Sequence, residues 1–173
     1  MVKDEACRSV ELILSDVDGV LTDGGIIYDN QGVEIKRFDI QDGLGIRLWQ
    51  RAGFRFGFLT SRSSQSVRLR AAELGVELLR QGCDEKLPVA QQIVRDLGLT
   101  PGKVCYIGDD LPDLAVLRYV GWSVAVADAV AEVRAAAAMV TSRPGGHGAV
   151  RETIELILKK KGMWEDLVRR FTG

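Results

Sequence analysis

The segment ELILSDVDGVLTDGG, residues 11–25, decides the fold, because it joins a short apolar run to a glycine-rich turn that carries two carboxylates. An apolar run of this length, bounded by turn residues, is typical of a buried strand in a parallel sheet. Asp16 would stand at the carboxyl end of that strand, where ligands bind in open α/β sheets. Asp18 would lie in the turn, and Gly19 would let a ligand approach the backbone closely.

The paired carboxylates of this turn have two interpretations, a ligand site or an ordinary Asp-rich turn, and the segment alone leaves both open. Two anions this close repel each other unless a positive group lies between them. Mg²⁺ binds through one or two carboxylates together with water and phosphate oxygens. Asp16 and Asp18 therefore suggest phosphoryl chemistry, a hypothesis that the rest of the chain must support.

Composition limits the kind of protein. The chain has 173 residues, of which 46% are hydrophobic, which is enough for one globular domain with a real core. A net charge of −1 argues against binding to nucleic acid or to an acidic membrane surface. Cys7, Cys83 and Cys105 are widely spaced, which predicts reduced thiols. There is no apolar signal region and no run of transmembrane length, so we expect a cytoplasmic protein.

Strands and helices alternate along the whole chain, which predicts an open parallel sheet covered by helices on both faces. After the first strand, further strands are predicted at 54–59, 76–79, 104–107, 122–127 and 138–140. Helices are predicted near 42–53, 64–75, 84–97, 129–137, 149–160 and 163–171, and another has Pro112 in its first turn. Residues 24–40 predict a β-hairpin that leans over the site as a flap. We expect one domain over residues 1–173, with a helical tail at 149–173 and no room for a lid domain between Asp18 and Thr60.

Polar residues that suit phosphate cleavage follow the predicted strands, and in a parallel sheet these ends share one edge. They are Asp16, Asp18, Thr60, Lys86, Asp109, Asp110 and Asp113. One carboxylate can attack phosphorus, and a second can protonate the leaving oxygen and later activate water. A hydroxyl and an ammonium can hold the phosphoryl oxygens as their charge is redistributed.

Four of these features resemble, in order, the motifs of the haloacid dehalogenase superfamily: Asp-Val-Asp-Gly-Val at 16–20, Thr60, Lys86 and Gly-Asp-Asp-x-x-Asp at 108–113. Two-component receiver domains also place Asp, Thr and Lys around Mg²⁺, but there the acidic pair comes early and Lys comes last. In this chain an acidic cluster follows Lys86, which argues against a receiver domain. Longer stretches resemble the capless branch that contains 3-deoxy-D-manno-octulosonate 8-phosphate phosphatases: residues 16–24, 38–46, 81–86, 124–129 and 145–152.

The resemblance implies a three-layer Rossmann-like α/β fold without a cap domain, and Mg²⁺-dependent hydrolysis of that sugar-acid phosphate in lipopolysaccharide precursor biosynthesis. It implies that Asp16 is the nucleophile and Asp18 the general acid and base. Mg²⁺ would be held by the carboxylates of Asp16 and Asp109 and by the backbone carbonyl of Asp18, with Asp110 or Asp113 behind them. It also implies a homotetramer, in which the hairpin or tail of one subunit covers a neighbour's site.

The remaining implied contacts concern the substrate. Thr60, Ser61 and Lys86 would bind phosphate, although the family usually has glycine in place of Ser61. Gly146 and His147 would approach the substrate, although a more basic residue commonly stands in place of His147, which also fits an exposed loop position. Asp113 fits either an orienting role or the start of a helix.

Other functions stay open at this level. The same branch contains phosphatases of nine-carbon sialic-acid-type sugar 9-phosphates, which carry Glu where this chain has Arg62. Arg62 favours the eight-carbon substrate, and its guanidinium can bind a carboxylate bidentately. A non-catalytic sugar-phosphate-binding module would not need all of these acidic residues, so their presence favours an enzyme. A phosphotransferase or mutase would need a lid that excludes water, and the sequence predicts no lid domain.

Overall fold

The computed structural model describes residues 2–171. Residues 172 and 173, expected to form an irregular end, lie outside the described part. Strands are numbered in chain order as β1 (Leu12–Ser15), β2 (Ile27–Tyr28), β3 (Glu34–Ile35), β4 (Arg55–Leu59), β5 (Leu78–Arg80), β6 (Val104–Gly108), β7 (Trp122–Ala125) and β8 (Met139–Val140). Helices are α1 (Val2–Ser9), α2 (Ile40–Arg51), α3 (Gln65–Leu74), α4 (Lys86–Asp96), α5 (Leu114–Tyr119), α6 (Ala131–Ala136), α7 (Ala149–Lys160) and α8 (Trp164–Arg169).

Six strands form one parallel sheet in the order β5-β4-β1-β6-β7-β8. Strand β1 lies at its centre, and all its side chains are buried because helices cover both faces. Helices α1, α2, α7 and α8 pack together as one group, and α4, α5 and α6 as another. This is the three-layer α/β fold that the sequence predicts. None of the helices within residues 2–171 has the length and apolarity needed to cross a membrane.

Strands β2 and β3 form the expected antiparallel hairpin, which we call the flap hairpin (residues 24–40). Asp29 closes its turn, because its carboxylate accepts the backbone N–H groups of Gln31 and Val33, each at 2.8 Å. The hydrogen-bonded part is short, and several apolar side chains of the hairpin are exposed: Ile26, Ile27, Tyr28, Val33 and Ile35. A surface of this kind is typical of a protein interaction site.

Several element boundaries differ from the sequence prediction by one or a few residues, and for two of them the local reason is clear. Helix α2 begins at Ile40 because Asp39 is its N-cap and accepts the N–H of Gln41 at 2.6 Å. Strand β5 begins at Leu78 because the backbone of Val76 still belongs to the end of α3, where its N–H donates to the carbonyl of Ala71. Helix α1 was not predicted, because its sequence is short and mostly polar.

Asp42, expected to open α2, instead caps a different helix. Its buried carboxylate accepts the backbone N–H of Gly148 at 3.3 Å and that of Arg151 at 2.7 Å, at the start of α7. Burial raises the pKa of Asp42 to about 6. Asp42 therefore links α2 to the start of α7, and the two helices pack against each other. This link also holds the end of the loop that precedes α7.

Candidate active site

The carboxyl ends of the central strands bring the predicted residues together. Strands β4 and β6 both pair with β1, and Ser15 is in register with Phe58 on one side and with Ile107 on the other. The residues that follow these strands therefore emerge at one edge. They surround a cavity of about 160 Å³ that is lined by Asp16, Asp18, Thr60, Ser61, Arg62, Lys86, Asp109, Asp110 and Pro112. Seven of the strand-end residues were expected to converge, and all but Asp113 line this cavity.

Lys86 connects two carboxylates beneath the cavity. It is the first residue of α4 and only 3% exposed. Its Nζ lies 2.8 Å from Asp16 Oδ2 and 2.7 Å from Asp113 Oδ1. Burial alone would lower the pKa of Lys86, but the two neighbouring carboxylates raise it above the ordinary lysine value. The ammonium is therefore charged at neutral pH and fixed beside the predicted nucleophile.

Asp113 lies behind the cavity and is fully buried. One of its oxygens accepts from Lys86 Nζ at 2.7 Å and from the Tyr106 hydroxyl at 2.6 Å. The other accepts the backbone N–H groups of Asp109 at 2.9 Å and Asp110 at 3.3 Å. Both oxygens are thus engaged in orienting site residues. The residue also stands at a helix start, because it immediately precedes α5 and its bond from the Asp110 N–H is part of a capping box, so the contacts fit both interpretations.

Asp16 and Asp109 form a strongly acidic pair. Burial, followed by repulsion from Asp113, raises the pKa of Asp16 to about 6. Burial, followed by repulsion from Asp16 and Asp113, raises the pKa of Asp109 to about 8. Asp109 Oδ1 is buried and accepts no hydrogen bond from any of the described residues. Lys86 offsets only part of the repulsion between these carboxylates. A further positive charge between Asp16 and Asp109 would therefore stabilise their ionised forms.

These donors fit a divalent cation. Asp16, Asp109 and Asp113 can each place a carboxylate oxygen within 4.8 Å of the others. Asp16 and Asp109 are the better ligands, because both line the cavity, whereas Asp113 is fully buried behind it and each of its oxygens already accepts two hydrogen bonds. Gly19 permits this arrangement, because its φ is +84° and a Cβ there would collide with the Asp109 carboxylate. Hard oxygen ligands of this type favour Mg²⁺ over softer metals.

The flap hairpin supplies contacts that the sequence analysis missed. Lys36 is buried and forms an ion pair with Asp18 Oδ1, and its Nζ lies 3.3 Å from Glu34 Oε1. Arg62 Nη2 donates to Glu34 Oε1 at 2.9 Å and to the Tyr28 hydroxyl at 3.3 Å. Alternation along β3 was the available signal, because residues 34 and 36 share one face of a strand.

Two predicted substrate contacts lie outside the cavity of this chain. Gly146 packs against the turn after β1, where its N–H donates to the Val20 carbonyl at 2.9 Å and any Cβ would collide with residues 22–23. His147 is exposed, and its Nε2 lies 2.9 Å from Arg37 Nη2. Asp128 holds this loop by accepting the Gly145 N–H at 2.9 Å. A contact of Gly146 or His147 with substrate stays a prediction.

Comparisons with known proteins agree with this geometry. A family model described as haloacid dehalogenase-like hydrolase matches residues 73–152. The chain is 40% identical over 159 residues to the 3-deoxy-D-manno-octulosonate 8-phosphate phosphatase KdsC of Escherichia coli K12, covering 92% of this chain and 85% of that protein. The chain belongs to the 3-deoxy-D-manno-octulosonate 8-phosphate phosphatase family.

Solved structures of this phosphatase family share the fold over nearly the whole chain. The Moraxella catarrhalis phosphatase, in complex with magnesium ion, phosphate ion and KDO, has a TM-score of 0.95 and 39% identity, with 97% of each chain covered. The cobalt-bound Haemophilus influenzae phosphatase has a TM-score of 0.89 and 39% identity, covering 92% of this chain and 93% of that one. In two members of the phosphatase family, a divalent cation is therefore part of the structure.

Proposed function

We propose that the chain is a Mg²⁺-dependent phosphohydrolase that releases phosphate from 3-deoxy-D-manno-octulosonate 8-phosphate. The observation that carries this proposal is the cavity in which Asp16 and Asp109 face each other beside the Lys86 ammonium. A relative of 97% coverage binds magnesium, phosphate and KDO together. The acidic pair, the ammonium and the family membership all support the same chemistry.

Asp16 is the nucleophile in this proposal. Its Oδ1 is held by the Val17 N–H at 2.7 Å and its Oδ2 by Lys86, so the carboxylate has one orientation. An oxygen of Asp16 forms a bond to phosphorus as the bond to the sugar oxygen breaks, and Asp18 gives that oxygen a proton. Asp18 then takes a proton from the water that hydrolyses the aspartyl phosphate.

The other cavity residues bind and balance charge. Mg²⁺, held by Asp16, Asp109 and the Asp18 carbonyl, would supply positive charge between the anionic nucleophile and the anionic substrate. Asp113 orients the residues around this cation through its hydrogen bonds, and Asp110 lies at the cavity wall. Thr60, Ser61 and Lys86 hold phosphoryl oxygens.

Binding of Mg²⁺ is expected to release a proton near neutral pH. With a pKa of about 8, Asp109 holds a proton at pH 7 that must leave before the carboxylate can coordinate a metal. The apparent affinity should therefore rise by up to about tenfold per pH unit between pH 6 and 8. Calorimetric titration in buffers of different ionisation enthalpy counts the proton, and Asp109→Asn should lose both proton release and most of the affinity. Heats that do not depend on the buffer would contradict this prediction.

A direct comparison of two sugar-acid phosphates tests which substrate the enzyme prefers. We expect kcat/KM for the eight-carbon sugar-acid 8-phosphate to exceed that for nine-carbon sugar-acid 9-phosphates, because Arg62 rather than Glu stands at the cavity wall. Phosphate release from both substrates, measured with the same enzyme preparation, tests this choice. Equal or reversed preference would reject the eight-carbon substrate and leave the phosphatase activity standing.

Self-association is part of the proposal, since the exposed apolar side chains of the flap hairpin need a surface to cover them. The chain works as one domain without a lid of its own, and a neighbour's hairpin or tail would close its site in a homotetramer. Sedimentation equilibrium tests this, and a strictly monomeric mass would exclude it. The cytoplasmic location expected from the sequence stays a prediction.

A further inference from the structure

Four charged side chains form a ring beside the cavity, and two of them, Asp18 and Arg62, line it. Lys36 pairs with Asp18 and lies 3.3 Å from Glu34, and Arg62 Nη2 lies 2.9 Å from the same oxygen of Glu34. The ring is completed by Arg62 Nε, which lies 3.9 Å from Asp18 Oδ2. This distance is too long for a hydrogen bond. Two members come from the flap hairpin and two from loops after β1 and β4.

The ring makes the two oxygens of Asp18 unequal. Oδ1 is bound by the Lys36 ammonium, whose side chain is only 1% exposed. Oδ2 is buried, yet it receives no hydrogen bond within the part of the chain that the structure describes, and the same holds for Arg62 Nε opposite. Both residues line the cavity. A buried polar atom without a partner is costly, so a bound molecule is the natural partner for each: an oxygen that accepts from Arg62 Nε, and for Oδ2 a hydroxyl that donates or, when Oδ2 carries a proton, an oxygen that accepts it.

We propose that Lys36 is a positioning residue for the general acid. By binding Oδ1 it leaves Oδ2 as the oxygen of Asp18 that carries the transferable proton and faces the ester oxygen. This inference rests on the proposed function. In the first step the proton moves from Asp18 Oδ2 to the ester oxygen, the bond from phosphorus to that oxygen breaks, and Asp16 bonds to phosphorus. The electron pair of the broken bond stays on the departing alcohol oxygen, which the proton neutralises.

Lys36 is better suited to this role than Arg62. Its side chain is 1% exposed, whereas that of Arg62 is 41% exposed and only approaches Asp18. Lys36 directly follows β3 and stands two positions after Glu34, whose carboxylate holds the ammonium from the other side. The flap hairpin therefore contributes to the chemistry of its own chain through Lys36, independently of any cover it gives to a neighbour.

The test is a series of substituted phenyl phosphates whose phenols differ in pKa. A phenol of low pKa leaves without a proton, whereas one of high pKa needs a donor, so general-acid catalysis flattens the dependence of rate on leaving-group pKa. We compare wild type with Lys36→Met in single-turnover release of the phenol, which isolates the first step. Lys103→Met is the matched control, because Lys103 pairs with Glu11 at 2.7 Å at the opposite edge of the sheet.

Lys36→Met should release the most basic phenol about 100-fold more slowly and the most acidic phenol less than about fivefold more slowly. Lys103→Met should follow the wild-type line. Equal losses for all phenols would mean that Lys36 only supports the structure, and no loss would mean that it has no role, so either result overturns the proposal. If Lys36→Met does not fold, the double variant Lys36→Met/Glu34→Gln removes the excess negative charge and must show the same steepening. A wild-type enzyme inactive on every phosphate ester would instead reject the proposed function.

Discussion

Asp16→Asn is expected to abolish phosphate release, lowering kcat by more than about 10⁴-fold. An amide cannot form the aspartyl phosphate. Its single carbonyl oxygen can accept either the Val17 N–H or the Lys86 ammonium, which now hold the two oxygens of Asp16, so the variant keeps one of these contacts and loses the other. Phosphate release from 3-deoxy-D-manno-octulosonate 8-phosphate in the presence of Mg²⁺ measures the effect. Asp96→Asn, an exposed carboxylate-to-amide change at the end of α4, is the matched control.

The stability of the same variant should depend less on pH than that of wild type when no metal is present. The folded pKa of Asp16 is about 6, against 3.8 as the ordinary value, because burial and Asp113 disfavour its charge. A raised carboxyl pKa means that stability is greatest below about pH 4 and is lost as the pH rises through about 6. Asparagine has no proton to lose, so the free energy of unfolding in EDTA should fall less between pH 5 and pH 8 in the variant than in wild type. Urea denaturation at the two pH values measures this, and an equal fall in both proteins would contradict it.

Inactivity together with a cooperative unfolding transition that depends less on pH would separate a catalytic role from a structural one. A non-catalytic sugar-phosphate-binding module would show the same change in pH dependence on Asp16→Asn, but it would have no hydrolysis to lose. Loss of activity through misfolding would abolish the cooperative transition instead. The two measurements therefore distinguish these three cases with one substitution.

The fold could be predicted because its strands are short apolar runs bounded by turns, and β1 shows why such runs are informative. All four of its residues are buried, because both faces of the sheet are covered. The strand therefore appears in the sequence as a run of apolar residues instead of an alternation of apolar and polar ones. The predicted family and fold are confirmed. The boundaries of α2 and β5 differ because Asp39 and Gly75 set them through capping contacts, which a periodic pattern does not specify.

The candidate site was predictable where a residue type follows a strand directly, as for Asp16, Thr60 and Asp109. Tertiary contacts were not predictable in the same way. Asp42 meets the N-terminus of α7 across 106 positions of sequence, and no local pattern joins the two. Lys36 reaches Asp18 only after the flap hairpin folds back over the turn, although its alternation with Glu34 was a usable signal.

Lys86→Met is expected to lower both stability and activity, because it removes the only cation in direct contact with Asp16 among the ion pairs of residues 2–171. Breaking a buried ion pair by removing one partner typically costs about 3–5 kcal/mol, since the other charge is left buried. Asp113 would keep its bonds from Tyr106 and two backbone N–H groups, so the unpaired charge falls mainly on Asp16. Urea denaturation in EDTA measures the loss, and Lys103→Met should change stability by less than about 1 kcal/mol.

The double variant Lys86→Met/Asp113→Asn separates the two roles of the ammonium. Removing the Asp113 charge relieves the repulsion that helps to raise the pKa of Asp16, so part of the lost stability should return. Activity should stay at least about 100-fold below wild type, because no group replaces the cation that holds the phosphoryl oxygens. A double variant that regains both stability and turnover would mean that Lys86 serves only to neutralise Asp113. Recovery of stability alone would place Lys86 in contact with the phosphate during the reaction.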